Sequence, residues 1–86
     1  MINPKIAVVI PAHNEEQVLK LTIDALFDAG FKDEDIYVVD DCSKDRTSDI
    51  AVSCQVNTLT LQHNVGKALA LKSLIRFYSL SDIYDY

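Results

Sequence analysis

Residues 37–51 read YVVDDCSKDRTSDIA. An apolar run, Tyr37-Val38-Val39, passes without transition into two adjacent acids, Asp40 and Asp41, and then into a polar, charged stretch. Successive β-branched residues with no polar alternation mark a strand buried on both faces, the kind that parallel sheets contain. Beginning at Ile36, this strand ends where the acids begin. Ser43, Asp45 and Thr47 then offer caps for a short helix reaching about residue 53. By themselves the two acids are equally explained as turn and cap residues that satisfy backbone N–H groups, or as a pair facing a ligand.

Upstream, Lys5-Ile6-Ala7-Val8-Val9-Ile10 is a second run of this kind, and Pro11 is expected to stop it. Asn14 with Gln17 three residues later has the form of a capping box, and Glu15 and Glu16 suit a positive helix start. The spacing predicts a helix over 15–29 with Val18, Leu19, Thr22, Ala25, Leu26 and Ala29 on one face. Gly30 is placed to end it. The FKDED segment, residues 31–35, is a solvated loop.

Downstream, VNTLTLQ (56–62) alternates Val56, Thr58 and Thr60 with Leu59 and Leu61 as a third strand. A third helix is expected from Val65 or Gly66 to about residue 79, capped by Asn64. Its stripe is Ala68, Leu71, Ile75 and Tyr78, widened by Ala70, Leu74 and Phe77. The order βαβαβα implies an α/β fold: a three-layer α/β/α, Rossmann-like open parallel sheet with right-handed crossovers. An aromatic and β-branched run restarts at Ile83-Tyr84. The sheet is therefore expected to have three to four strands, and residues 1–86 to form one truncated subdomain of a larger domain.

Composition narrows the function. With 13 acids against 8 Lys and Arg, the net charge of −5 gives no general affinity for nucleic acid. Cys42 and Cys54 match neither a redox nor a zinc spacing and are expected as free thiols in a reducing compartment. The apolar run near the N-terminus is too short for a signal sequence or a membrane span.

Ligands of open parallel sheets bind beyond the carboxyl ends of the strands. Three polar segments converge there: PAHNEE (11–16), DDCSKD (40–45) and QHNVGKA (62–68). A dinucleotide fold needs a glycine-rich turn after the first strand, and Pro11-Ala12-His13-Asn14 has none. A P-loop ending at Gly66-Lys67 would need glycine at Leu61 and Ser or Thr at Ala68. A phospho-acceptor receiver would carry its acids after the first strand rather than the second.

With VVIPAHNEE (8–16), VVDDCSKDRT (38–47) and NVGKALAL (64–71) in this order, the chain resembles the nucleotide-binding half of a family 2 glycosyltransferase of the GT-A fold. The resemblance implies transfer of a sugar from a nucleotide-diphosphate sugar, UDP- or GDP-linked, to a saccharide or lipid acceptor. It implies that Asp41 contacts the base and that Pro11, Ala12, His13, Asn14 and Glu15 line base and ribose, with Glu15 in reach of the ribose hydroxyls. Asp40 either joins them or braces the loop. His13 is expected as a wall of the pocket rather than as a base or metal ligand. Gly66 and Lys67, at a helix N-terminus, make a diphosphate site. Lys44, Arg46 and Asp49 are expected on a solvated helix face.

The family's D-x-D motif, which holds Mg²⁺ or Mn²⁺ on the diphosphate, is expected after a fourth strand and is absent there; Asp82 and Asp85 have the wrong spacing. No residue is assigned a catalytic role, and the chain alone is expected to be inactive. An exposed sheet edge invites a homodimer. Membrane association would come only from segments beyond this sequence, and the complete protein is expected in the cytoplasm or on the cytoplasmic face of a membrane. The alternative is a non-catalytic nucleotide-binding or interaction module.

Overall fold

The computed structural model describes residues 6–78 of the 86-residue chain. Three strands, β1 (Val8–Ala12), β2 (Ile36–Asp40) and β3 (Asn57–Thr60), alternate with three helices, α1 (Leu19–Asp28), α2 (Thr47–Ser53) and α3 (Lys67–Phe77). The sheet is parallel throughout, in the order β1-β2-β3, with Val8 opposite Ile36 and Tyr37 opposite Asn57. This is the expected α/β arrangement, a partial Rossmann-like GT-A fold. The strand expected around Ile83-Tyr84, and Asp82 and Asp85, lie outside the described residues.

Each face of the sheet has its own core. Val38 and Ile36 point to one side, where α1 and α2 contribute Leu19, Ile23 and Ala51. Tyr37 and Val39 point to the other, where α3 contributes Ala70 and Leu74. β2 is buried along its whole length because it is the middle strand and both faces are covered. β1 is only half-buried until Ala12, as its position at an edge of the described sheet dictates.

Two right-handed crossovers in the same direction put α1 and α2 on one face. α3 follows β3 but packs back across β2 and β1 on the opposite face. α3 thus lies on the other face from α1 and α2, and the carboxyl ends of the three strands, where open α/β sheets bind ligands, lie together at one edge.

Four details differ from expectation. β1 continues through Pro11 to Ala12, with Pro11 in register with Val39. An outer strand can carry a proline whose missing N–H faces the unpaired side. α1 starts at Leu19 rather than residue 15. Asn14 adopts a left-handed conformation (φ 55°) and caps nothing locally. Glu15 instead supplies the carbonyl that receives the Leu19 N–H at 2.9 Å. The buried stripe of α1 runs Leu19, Ile23, Leu26 and Phe27, while Val18, Thr22, Ala25 and Ala29 are exposed. On α3 the buried line is Ala70 and Leu74, and Ala68 and Phe77 are exposed.

The end of α1 is as expected. Gly30, at φ 99°, sends its N–H to the Phe27 carbonyl, and Phe31 N–H returns to Leu26, each at 3.0 Å. These paired bonds form a Schellman motif, with Phe31 and Leu26 both packed on the core.

Candidate functional site

The carboxyl ends of the strands open into three loops, after β1, β2 and β3. The first two are laced together. Asn14 N–H donates to Ser43 Oγ at 2.8 Å, and Lys44 N–H donates to Asn14 Oδ1 at 2.9 Å. Glu15 N–H donates to Thr47 Oγ1 at 2.9 Å and Glu16 N–H to Asp45 Oδ2 at 3.2 Å. Thr47 and Asp45, expected to cap only the helix that follows them, thus satisfy N–H groups at the entry to α1. Desolvation raises the Asp45 carboxyl, but hydrogen bonds from the Thr47 hydroxyl, Thr47 N–H and Glu16 N–H outweigh it and hold the group below the usual carboxylate range.

The two adjacent acids are both buried, and neither has a salt-bridge partner among the described residues. A buried carboxylate without a cation needs hydrogen-bond donors on its oxygens. Asp40 takes Ser43 N–H at 2.9 Å on Oδ1 and the Ser48 hydroxyl on Oδ2; Ser48 is in turn 2.7 Å from Thr60 Oγ1. This carboxylate braces its own loop and ties α2 to β3. Asp41 reaches the third loop, where its Oδ1 accepts from Val65 N–H at 2.8 Å and its Oδ2 from Gly66 N–H at 2.9 Å. It fills the place expected for Asn64 as the cap at the start of α3. Gly66 is suited to that junction because its φ is 88°. Its N–H, at the helix start where the sequence suggests a diphosphate site, donates to Asp41.

His13 joins all three loops. Its Nδ1 lies 2.8 Å from the Asp41 backbone carbonyl, which can only accept, so Nδ1 carries the proton. Nε2 is then an acceptor, with Asn14 Nδ2 at 3.3 Å and Asn64 Nδ2 at 3.4 Å. The Asn14 amide is oriented by the Lys44 N–H on its Oδ1, which leaves Nδ2 as the end turned to the imidazole.

Between these loops lies a cleft of about 210 Å³ lined by Pro11, Ala12, His13, Glu15, Asp41 and Lys67. Six of the nine residues singled out by sequence therefore meet in one place. The other three, Asn14, Asp40 and Gly66, do not line it and hold the loops that do. The volume suits a nucleobase and is below the ~300–1,000 Å³ of sites that enclose a whole small ligand. A larger hollow of about 340 Å³, bounded by Asn14, Glu15, Glu16, Gln17, Val18 and Asp45, carries three carboxylates and no cation in its lining, which suits no phosphate.

Ser48, Thr60 and Asn64 join the site's framework without having been singled out for those contacts. Their partners lie 8 to 51 positions away, so no local spacing announces them. Among the described residues no group of three or more His, Cys, Asp or Glu could hold a metal ion. No helix among them is long and apolar enough to cross a membrane.

Comparison with known proteins gives one family: the model for Glycosyl transferase family 2 matches residues 7–79. The probable glycosyltransferase YdaM of Bacillus subtilis (strain 168) is 51% identical over 49 residues, 55% of this chain and 12% of that protein. The chain thus matches only a small part of that curated relative's length. No solved structure matches the chain significantly.

Proposed function

The chain belongs to glycosyl transferase family 2, and from that membership we propose that it is a subdomain, residues 1–86, binding the nucleotide of a nucleotide-diphosphate sugar for transfer of the sugar to a saccharide or lipid acceptor. One observation carries this reading. Three loops converge, at the carboxyl ends of the parallel strands, on a base-sized cleft with a lysine in its lining.

In this reading the base enters between Pro11, Ala12 and His13. Glu15 faces the ribose, and Lys67 offsets the diphosphate in an otherwise acidic chain. Asp41 forms a wall and fixes the third loop. The transfer is a single displacement with inversion. An acceptor hydroxyl oxygen forms the new bond to the anomeric carbon, the bond to the diphosphate oxygen breaks, and the hydroxyl proton passes to a base outside the described residues. Mg²⁺ or Mn²⁺ on the diphosphate belongs to the complete enzyme. The described residues do not fit a metal, and no step is assigned to one. The 86-residue chain accordingly binds donor without transferring sugar. Its complete protein works in the cytoplasm or at a cytoplasmic membrane face, and a homodimer would pair through an exposed sheet edge, β1 and β3 being the outer strands among the described residues.

Calorimetric titration of the folded chain with UDP, GDP and their sugars, with and without Mn²⁺, tests the reading. Binding that weakens on Lys67→Ala and survives chelation is expected. Absence of binding to every nucleotide, by a chain shown to be folded, would remove it.

A further inference from the structure

Charge is divided between the layers of this fold. Residues 50–78 contain no acid and place Lys67, Lys72 and Arg76 on α3, so the layer on that face of the sheet is basic. Among the described residues every acid lies between Glu15 and Asp49, ahead of β3.

Each outer layer also leaves an apolar stripe in water. α3 exposes Leu69 and Phe77, at 55% and 66%, with Lys72, Ser73 and Arg76 between them. α1 exposes Leu21, at 69%, followed at the same spacing by Asp24, Ala25, Asp28 and Ala29. Positions i, i+3, i+4, i+7 and i+8 share one helix face, and the buried pairs Leu19 and Ile23, and Ala70 and Leu74, lie on another. Lys72, Arg76 and Asp28 have no ion-pair partner among the described residues. Asp24 meets Lys20 at 2.6 Å through Oδ2 only, in an exposed pair of the kind that contributes little.

The two stripes are one pattern carrying opposite charges. Two helices laid antiparallel bring matching flanks to the same side of their contact. Leu21 then falls beside Phe77, Asp24 beside Arg76, Ala25 beside Ser73 and Asp28 beside Lys72. The stripes cannot meet within one molecule, because α1 and α3 cover opposite faces of the sheet. Both helices run back against parallel strands and so point the same way. A second copy, turned half round about the normal to the sheet, sets its α3 antiparallel on the α1 of the first. Its own α1 and the first copy's α3 stay open, so the contact can repeat.

We propose that α1 and α3 are the two halves of a heterologous interface through which copies of this chain stack face on face. The contact is weak, because one helix face on another buries less than the ~1,200 Å² of a stable interface. It is sensitive to salt, because its charge pairs are at the rim. No residue of either stripe lines the cleft or belongs to a strand, which separates this contact from nucleotide binding and from pairing at a sheet edge.

Sedimentation of the 86-residue chain from micromolar to millimolar concentration tests this. Mass should grow past the dimer at low salt and fall back at high salt, and amide shifts should move on the outer faces of α1 and α3 together. Charge reversal identifies the surfaces. Chains carrying Lys72→Glu with Arg76→Glu, or Asp24→Lys with Asp28→Lys, should each lose about tenfold or more in self-association, since like charges then meet. Mixed in equal amounts they should assemble as the parent does, because each reversed stripe finds its complement on the other chain. A mixture that stays monomeric while both variants keep the parent's circular dichroism overturns the proposal. So does a parent chain that stays monomeric throughout. A dimer that neither reversal alters also overturns it and gives the contact to a sheet edge. Binding to anionic vesicles that needs Lys72 and Arg76, without self-association, overturns it and gives the α3 stripe to a lipid surface. The concentration and salt series uses the unaltered protein, so a variant that fails to fold does not shelter the proposal.

Discussion

The two faces of the sheet are built to different standards. Against α1 and α2 lies the larger core, with Leu19, Ile23, Ile36, Val38, Ala51 and Val56 buried and Leu26, Phe27 and Phe31 packed around them. Against α3, among the described residues, four side chains are buried, Tyr37, Val39, Ala70 and Leu74, with Val9, Leu59, Leu61, Ile75 and Tyr78 packed around them and Leu69 and Phe77 of the same helix exposed. The adjacent acids divide along the same line. Asp40 reinforces the well-packed side through Ser48, whereas Asp41 ties down the thinly packed α3 at its first turn. Where apolar burial is scarce, a charged cap does more of the holding. The cleft sits on that seam, so its shape depends on the less secure half.

Core truncation should separate the faces most sharply. Ile23→Ala and Leu74→Ala each remove a fully buried side chain, at about 2–5 kcal/mol. Ile23→Ala should lower stability throughout, with β2 and α1 amides losing hydrogen-exchange protection together. Leu74→Ala should release α3 first while β2 keeps its slowest amides. If the two variants lose protection in the same pattern, the faces are one cooperative unit and the contrast fails.

The acids come next. Asp41→Ala leaves two N–H groups at the start of α3 without their acceptor, and Asp40→Ala strands the Ser48 hydroxyl and Ser43 N–H. Charge-assisted bonds of this sort contribute about 1.5–3 kcal/mol, so urea unfolding should show losses of about 2 kcal/mol for each. Location distinguishes them. Asp41→Ala should loosen α3 and the third loop, and Asp40→Ala should loosen α2 and β3. An Asp41→Ala chain with unchanged protection in α3 would mean that the cap is dispensable.

Tyr78 bears on the thin face alone. Its ring meets Tyr37 edge-on at a centroid distance of 5.1 Å, and its hydroxyl donates to the Thr58 carbonyl at 3.2 Å. Burial, with Tyr37 nearby, raises its hydroxyl above the ordinary tyrosine range. The neutral form is therefore the one the fold favours. Its contribution is complete below about pH 10 and is lost as pH rises through the raised value, since the unfolded chain ionises first. Tyr78→Phe should cost about 0.5–1 kcal/mol and flatten that alkaline loss in a stability-against-pH series. An alkaline limb unchanged in the variant would assign it to another group.

Legibility in the sequence follows the range of the interaction. The strands were readable because β-branched runs signal burial by themselves, and Gly30 because a Schellman turn is a local event. The carboxyl-end loops were found as segments for a topological reason, and six of their nine marked residues line one cleft. What each side chain does was not readable. Asn14 and Asn64 look like caps, yet both turn to His13, and Asp41, more than twenty positions from Gly66, is the real cap. The start of α1 was misplaced by four residues for the same cause, because its entry N–H groups are met from the second loop. Capping rules assume a partner within a turn, and here the partner comes from another strand's loop.

The smallest effect concerns Cys42, on the seam between the faces. It is a non-glycine residue at φ 59°, in the left-handed region that a Cβ makes costly. The turn there is what lets the Asp41 carbonyl face His13 while Ser43 N–H comes back to Asp40. In partial return, the Cys42 thiol donates to the Gln62 carbonyl at 3.3 Å and so touches the third loop. Cys42→Gly removes strain of about 1–2 kcal/mol. Against this stand the glycine's extra unfolded-state freedom, about 0.5–1 kcal/mol, and the loss of a weak thiol bond. The net expectation is a gain of a few tenths of a kcal/mol, whereas Cys42→Ala keeps the strain, loses the bond and should fall below the parent chain. Opposite signs in paired urea titrations are the test. If glycine and alanine destabilise alike, the thiol and its hold on the third loop outweigh the backbone strain, and the seam is fastened by side chains on both sides of Asp41.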